Sequence, residues 1–284
     1  MGIIRTDLAL EQAAALSPEN TVPVIRRGKA FAVSELNITD EAMSRRLGRD
    51  MGRYITLECD ALSRLPDAFQ AQAEELAAEI GSFLPKGDVL VVGLGNSSIT
   101  PDALGPAVAD KILATRHLRK ELQENDPELA FLRSLRPVSV LANGVLGQTG
   151  IEAAELTAAV QGTVHPAAVI VIDALACSDV RRLGTTVQIS DAGISPGSGV
   201  QNRRKELSRR TLGVPVIAIG VPTVVDLHTI VRHYTSFSDA DAPNMMVTPR
   251  DIDKLIEHAA RLIGCSLNLA LQPAMCFADV EGMM

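Results

Sequence analysis

Continuous runs of apolar residues, separated by segments with helical periodicity, dominate the chain from Asp88 onward. One such run lies at residues 89–94, and similar runs lie at residues 138–141, 168–172 and 214–220. An apolar run without polar alternation is typical of a parallel strand that is buried on both faces. The pattern therefore predicts a buried strand at each of these places.

Helical segments alternate with these runs, at residues 103–118, 150–160, 202–212 and 224–233. Strands that alternate with helices form parallel sheets, because each crossover helix packs back onto a face of the sheet. The sequence therefore predicts an α/β fold, with a mostly parallel, twisted sheet and helices on both faces. The core of this sheet is expected at about residues 88–234, within a single domain that spans residues 8–284.

The chain before residue 88 has a mixed pattern. Thr39 predicts the start of a short helix that Gly48 ends, and residues 53–57 have the composition of a strand. A longer Ala- and Glu-rich helix is expected at residues 66–83, and Thr248 marks the start of a last helix. These segments predict N-terminal additions to the α/β core.

Composition narrows the range of functions. The formal net charge of −7 argues against direct nucleic-acid binding, which needs clustered positive charge. The four cysteines form no Cys-x-x-Cys pair, and neither a metal site nor a cofactor is expected. No apolar run has the length of a membrane span, so we expect a cytoplasmic protein with no membrane contact.

The first candidate site follows the strand at residues 89–94, because the carboxyl ends of parallel strands open into a crevice. Gly95 and Asn96 form a turn there, and Asp102 lies in the first turn of the next helix. Gly93 and Gly95 are also half of a dinucleotide-binding motif, so a nucleotide- or small-ligand-binding module is an alternative function. An acid that complements the helix dipole explains Asp102 equally well on spacing alone.

Asp173 directly follows the apolar run at residues 168–172. A carboxylate in such a place costs free energy unless it is paired, hydrogen-bonded or functional, and capping of the next turn is the alternative. Two carboxyl groups held close together cannot both ionise, so one keeps its proton at neutral pH. Asp102 and Asp173 are therefore predicted to act as base and acid on a water molecule that attacks a peptide bond.

Further candidates lie in two other segments. The Gly- and Ser-rich segment at residues 189–199 leads into a basic stretch, and it either positions an acidic substrate or forms a solvated surface loop. The supporting residues predicted there are Asp191, Gly197, Gly199 and Arg203. Asp226 ends another strand, and it either supports the site or caps a helix.

Long segments of the chain resemble the germination protease family. The matching segments include residues 52–58, 91–96, 100–106, 172–176, 185–199 and 213–226. The resemblance implies a metal-independent endopeptidase that degrades small acid-soluble spore proteins during germination, and it implies a homotetramer in the spore core or forespore. It also implies a fold similar to that of the hydrogenase maturation proteases, and the family's two aspartates match Asp102 and Asp173.

The same resemblance implies a zymogen. The motif Arg-Thr-Asp-Leu-Ala at residues 5–9 matches the family's processing site. It places the cut between Asp7 and Leu8 and a pro-segment at residues 1–7. A nickel-dependent maturation protease is the alternative among the hydrolases.

Overall fold

The computed structural model describes residues 6–16, 23–64, 68–118, 130–197, 204–234 and 245–284. The strands are β1 (Val24–Arg27), β2 (Ala32–Ile38), β3 (Gly52–Glu58), β4 (Val89–Gly93), β5 (Val138–Ala142), β6 (Ala168–Cys177), β7 (Thr186–Ser190), β8 (Val216–Asp226) and β9 (Met246–Val247). The α-helices are α1 (Ala9–Leu16), α2 (Glu41–Leu47), α3 (Phe69–Gly81), α4 (Leu104–Ala109), α5 (Ala130–Ser134), α6 (Leu146–Thr149), α7 (Ala153–Val164), α8 (Arg209–Leu212), α9 (Leu227–Tyr234), α10 (Ile252–Leu271) and α11 (Phe277–Met283).

The strands form one mixed sheet in the order β1-β2-β3-β7-β8-β6-β4-β5, with β9 paired to β8. The apolar runs that predicted buried strands form β4, β5, β6 and β8, and these four pair in parallel. The remaining strands pair in antiparallel and widen the sheet toward β1. The predicted α/β fold is confirmed, and the antiparallel half is built mostly from residues before the predicted core.

Helices cover both faces of the sheet, as the alternation along β6 shows. Ile170 and Ile172 pack in one core with α3, α4 and α10. Val169 and Val171 point to the other face and pack in a second core with residues of α7 and α8. Because side chains of a strand alternate between faces, Asp173 continues the second series. It therefore points to the face that carries α7 and α8.

Strands β6 and β8 run beyond the predicted ends at residues 172 and 220, so the segments 173–177 and 220–226 are strands and not loops. The two strands pair as far as Cys177 and Val225, with one irregularity in the register. The extension is stable because buried apolar side chains at its end enclose Leu8. Strand β4 stops at Gly93, opposite Ile172 on β6. Asp173 therefore lies inside a strand, at the level where the neighbouring strand ends.

Several helices are shorter than the sequence predicts. The helix expected at residues 103–118 ends with α4 at Ala109, because the following segment turns so that Thr115 and Arg116 donate backbone hydrogen bonds to Val138. Asp40, and not Thr39, accepts the capping bond of α2, which ends at Gly48 as predicted. No helix in the described ranges combines the length and the apolarity that crossing a membrane would require.

Candidate active site

A crevice of about 600 Å³ opens where β4 ends and β6 continues. Its walls are the turn after β4, the segment from Gly144 to the start of α7, and the extended ends of β6 and β8. The acidic residues Asp7, Asp102, Glu152 and Asp173 all contribute to the lining. The structure therefore brings the predicted pair, Asp102 and Asp173, into one crevice.

Asp173 is the more deeply buried member of the pair, with 6% of its surface exposed. Its Oδ1 accepts a hydrogen bond of 2.9 Å from the backbone N–H of Ala174. Burial raises the pKa of Asp173 well above its usual range, and the charges of Asp102 and Asp7 raise this pKa further. The carboxyl group of Asp173 therefore keeps its proton at pH values at which an ordinary aspartate is ionised.

Asp102 is only partly buried, in the short 3₁₀ helix Thr100–Asp102 that precedes α4. Its Oδ2 accepts a hydrogen bond of 2.8 Å from the backbone N–H of Asn96. Burial raises the pKa of Asp102, whereas the hydrogen bond from Asn96 lowers it. Because Asp102 is less deeply buried than Asp173, which also accepts one backbone hydrogen bond, Asp102 is the member of the pair that ionises more readily.

The turn that presents Asp102 depends on the close approach of two backbone segments. Gly95 has a φ of 114°, and a Cβ atom there would lie 2.0 Å from the carbonyl oxygen of Asp102. A Cβ atom on Gly93 would lie 2.2 Å from the carbonyl oxygen of Gly105. The two glycines that suggested half of a dinucleotide motif therefore allow the turn to pack against the start of α4.

Hydrogen bonds from other elements hold this turn in place. The side chain of Asn96 accepts a bond of 2.6 Å from Nε2 of Gln148, on α6. The hydroxyl of Thr223, on β8, donates a bond of 2.7 Å to the carbonyl of Pro101. Asp102 is thus fixed relative to the strand ends of the parallel core.

The N-terminal segment lies against the free edge of the β6 extension. The backbone N–H of Asp7 donates to the carbonyl of Ala176 at 2.8 Å, and the N–H of Ala176 donates to Oδ2 of Asp7 at 2.9 Å. Leu8 is fully buried against Leu175 and Cys177. Asp7, which precedes the predicted processing site, therefore lines the same crevice as the aspartate pair, and its charge acts on Asp173.

The other predicted residues have different positions. Gly197 lines the crevice. Asp191 is exposed instead, and it accepts a hydrogen bond of 2.7 Å from the N–H of Arg53, near the start of β3. Asp226 is buried and caps α9, because its carboxylate accepts bonds from the N–H and the hydroxyl of Thr229. Gly199 and Arg203 lie outside the residues that the structure describes.

Arg204 and Gln188 are among the residues of the crevice region that were not predicted. Arg204 lines the crevice and forms an ion pair of 3.7 Å with Glu152. Gln188 lies on β7, and its side-chain amide contacts the N-terminal segment on both sides of Leu8. The signal that could have indicated Gln188 is its position between Val187 and Ile189, because an amide inside a buried strand needs polar partners.

Other chemistries have less support in the described part of the chain. Burial is the main cause that raises the pKa of the Cys177 thiol, so the nucleophilic thiolate form is disfavoured. Within the same residues, no group of three or more His, Cys, Asp or Glu side chains is arranged to hold a metal ion. The aspartate pair is the arrangement that fits hydrolysis best.

Comparison with known proteins decides the family. A family model described as germination protease matches residues 17–238. The chain belongs to the germination protease family. This membership makes it a protease and links it to spore germination, and it agrees with the resemblance noted from the sequence motifs.

Relatives named germination protease match almost the whole chain. The relative from Caldanaerobacter subterraneus subsp. tengcongensis is 41% identical, over 99% of this chain and 98% of its own. Those from Clostridium tetani and Bacillus cereus are 36% and 35% identical, covering 99% and 94% of this chain and 99% and 93% of their own. Among solved structures, the NiFe hydrogenase maturation protease HycI from Thermococcus kodakarensis KOD1 matches with a TM-score of 0.36 and 19% identity, covering 66% of this chain and 98% of that chain.

Proposed function

We propose that this germination protease is an endopeptidase that initiates the degradation of small acid-soluble spore proteins, and that Asp102 and Asp173 activate the attacking water. The observation that carries the proposal is that both carboxyl groups line one crevice and that the charge of Asp102 contributes to the raised pKa of Asp173. Membership of the germination protease family supports the proposed substrate class. The spore core is the proposed location, and a homotetramer is the proposed assembly.

The proposed mechanism uses the different protonation of the two acids. Ionised Asp102 takes a proton from water, and the water oxygen forms a bond to the peptide carbonyl carbon. Protonated Asp173 donates a hydrogen bond to the carbonyl oxygen and then supplies the proton that the leaving nitrogen needs when the C–N bond breaks. The proton that Asp102 has taken restores the pair for the next cycle. This sequence requires neither a metal ion nor a cofactor.

We further propose that the chain is a zymogen that is cut between Asp7 and Leu8, which removes residues 1–7. The support is the position of this peptide bond, since Asp7 lines the same crevice as the aspartate pair. The segment is also attached to β6, since the backbone N–H of Asp7 donates a hydrogen bond to the carbonyl of Ala176 and the carboxylate of Asp7 accepts one from the N–H of Ala176.

The test is cleavage of a purified spore protein by the mature enzyme, in the presence of a chelator, with the fragments identified by mass. Asp102→Asn and Asp173→Asn are each expected to slow cleavage by at least about 10²–10⁴-fold, the usual contribution of one general acid or base. Asp253→Asn, at an exposed position on α10, is the matched control and should retain full activity. Full activity of either test variant would remove that residue from the mechanism, and loss of activity in chelator would favour the nickel-dependent alternative.

A further inference from the structure

Gln188 lies at the same level of the sheet as Asp173. On β7, Gln188 pairs with Gly220 of β8, and on the other side of β8 Gly220 pairs with Asp173. Residues directly opposite one another on neighbouring strands point to the same face, so the Gln188 and Asp173 side chains share a face, with about 10 Å between their Cα atoms. Gln188 is 8% exposed, so its amide needs partners within the protein.

Those partners lie on either side of the peptide bond between Asp7 and Leu8. Nε2 of Gln188 donates a hydrogen bond of 3.1 Å to the carbonyl oxygen of Asp7. Oε1 of the same amide accepts a bond of 2.8 Å from the backbone N–H of Ala9. One side chain therefore holds the carbonyl group of residue 7 and the first N–H beyond Leu8.

Other residues of the protein hold the rest of the N-terminal segment in place. Ala176 bonds the N–H and the carboxylate of Asp7, and the N–H of Leu8 donates to the hydroxyl of Thr6 at 3.0 Å. Arg49 donates a bond of 2.7 Å to the carbonyl of Thr6. The carbonyl of Asp7 is thus the group that points toward Gln188, in a peptide held at both ends.

A satisfied buried amide would explain these bonds as packing alone. The identity of the accepting atom suggests a role in catalysis as well. The carbonyl oxygen of Asp7 is the atom that becomes negatively charged when water adds to its carbon. Donors that stabilise such an oxyanion lie about 2.7–3.1 Å from it, and the Nε2 donor already lies at the upper end of this range. Asp173 lies on the same face and at the same level as Gln188, and the charge of Asp7 acts on it.

We propose that Gln188 binds the oxyanion when the chain cuts its own peptide bond between Asp7 and Leu8. The inference rests on the proposed zymogen and its aspartate pair. Water adds to the carbonyl carbon of Asp7, and the negative charge on the carbonyl oxygen is held by the N–H of Gln188. The C–N bond then breaks, residue 7 keeps a carboxyl group, and the nitrogen of Leu8 takes a proton and becomes the new α-amino group.

Replacement of Gln188 by Glu separates this role from packing. Gln188→Glu keeps an oxygen that can accept the N–H of Ala9, but once the pH exceeds the pKa of the new side chain, which burial and the nearby acids raise, it presents a carboxylate instead of a donor to the carbonyl of Asp7. At lower pH the protonated carboxyl group regains an O–H donor. Gln188→Met has nearly the same shape and carries no donor at any pH. The charged or titratable groups around this position, on all packed elements, are Asp7, Arg49, Asp50, Tyr54, Asp173 and Arg204.

The measurement is the rate of self-cleavage of the full chain after cell-free synthesis, followed by the appearance of an N-terminal Leu8 in the mass spectrum. Relative to the unaltered chain at each pH, Gln188→Met should be slowed by about 10²–10³-fold throughout, the usual effect of losing one oxyanion donor. Gln188→Glu should be slowed similarly at pH 8 and should recover at least about tenfold as the pH falls to 5. Gln70→Glu, at an exposed position on α3, controls for the added charge and should cleave normally.

The outcomes separate this inference from the proposed function. Self-cleavage of Gln188→Met within about threefold of the normal rate would overturn the role of Gln188, and so would equal slowing of the Glu and Met variants at every pH. Failure of the unaltered chain to cut between Asp7 and Leu8, while it still degrades a spore protein, would overturn both this role and the proposed zymogen, and would leave the proposed degradation of spore proteins standing. The Met variant carries no buried charge, so it keeps the test valid if the Glu variant does not fold.

Discussion

At Asp173, a carboxyl group that is almost wholly removed from water lies near two other acids. Because burial and the charges of Asp102 and Asp7 raise its pKa, the native protein binds this proton more tightly than the unfolded chain does, where an aspartate has a pKa of about 3.9. The contribution of this carboxyl group to the free energy of unfolding is therefore fully present below about pH 4. It is lost as the pH rises through the raised pKa of the native state. At neutral pH the carboxyl group that is proposed to act in catalysis therefore lowers the stability of the fold.

Asp173→Asn should accordingly make the protein more stable at pH 8 while it abolishes proteolysis. We expect the free energy of unfolding to rise by about 1–3 kcal/mol at pH 8, the range for an unsatisfied buried polar group, and the gain to shrink toward zero at pH 4. Denaturant unfolding at both pH values measures the difference. Asp253→Asn is the control, and its free energy of unfolding should change little at either pH. If Asp173→Asn were stabilised as much at pH 4 as at pH 8, burial of the charged carboxylate would not be the explanation.

At the level of elements, the strands that the sequence predicts are those whose two faces are both covered. The apolar runs of β4 and β6 need no knowledge of their neighbours to be recognised. Strand β2, with the sequence Ala-Val-Ser-Glu-Leu-Asn-Ile, places polar groups among its apolar ones, and its pairing with β1 and β3 depends on contacts distant in the chain. The extension of β6 past Asp173 was missed because a polar residue in a run suggests its end, whereas the crevice and Leu8 allow the strand to continue.

A buried acid, Glu11, is one of the contacts that attach helix α1 to the sheet. Glu11 is 5% exposed, and its carboxylate accepts bonds from the N–H and hydroxyl of Ser178 and from the N–H of Asp179, with Arg182 at 3.8 Å. Hydrogen bonds to a charged group contribute about 1.5–3 kcal/mol each. This contact, rather than helix propensity, is expected to hold the eight residues of α1 in place.

Glu11→Gln should therefore loosen α1 without loosening the sheet. We expect backbone amides of Ala9–Leu16 to exchange with solvent about 10–100-fold faster, while amides of α10 keep their protection, because the lost bonds are local. Hydrogen exchange followed by mass spectrometry measures both. Glu41→Gln removes an exposed ion pair with Arg45, worth only about 0.3–0.5 kcal/mol, and serves as the matched control. Unchanged exchange in α1 would show that another contact anchors the helix.

In the molecule as a whole, the two halves of the sheet supply different parts of the crevice region. The parallel half carries Asp102 and Asp173, and the rule that functional groups gather at the carboxyl ends of parallel strands was sufficient to predict both. Gln188 comes from the antiparallel half, and only the pairing of β7 with β8 brings it level with Asp173. Asp191 and Asp226 illustrate the limit of the sequence, because loop position and strand end do not show whether an acid faces the crevice or caps a neighbouring element.

The docking of the N-terminal segment also predicts how processing depends on concentration. Asp7 is hydrogen-bonded to Ala176 and Gln188 of its own chain, so the peptide bond that is proposed to be cut lies at the crevice of the same molecule. Self-cleavage should therefore be first order, with the same half-time when the protein is diluted 100-fold, and mass spectrometry of timed samples measures it. The inactive Asp173→Asn chain, mixed with active enzyme, is the control and should be cut far more slowly, because its own segment occupies its own crevice. A half-time that lengthens in proportion to dilution would instead mean that one molecule cuts another, and that the docked segment must leave the sheet before it is processed.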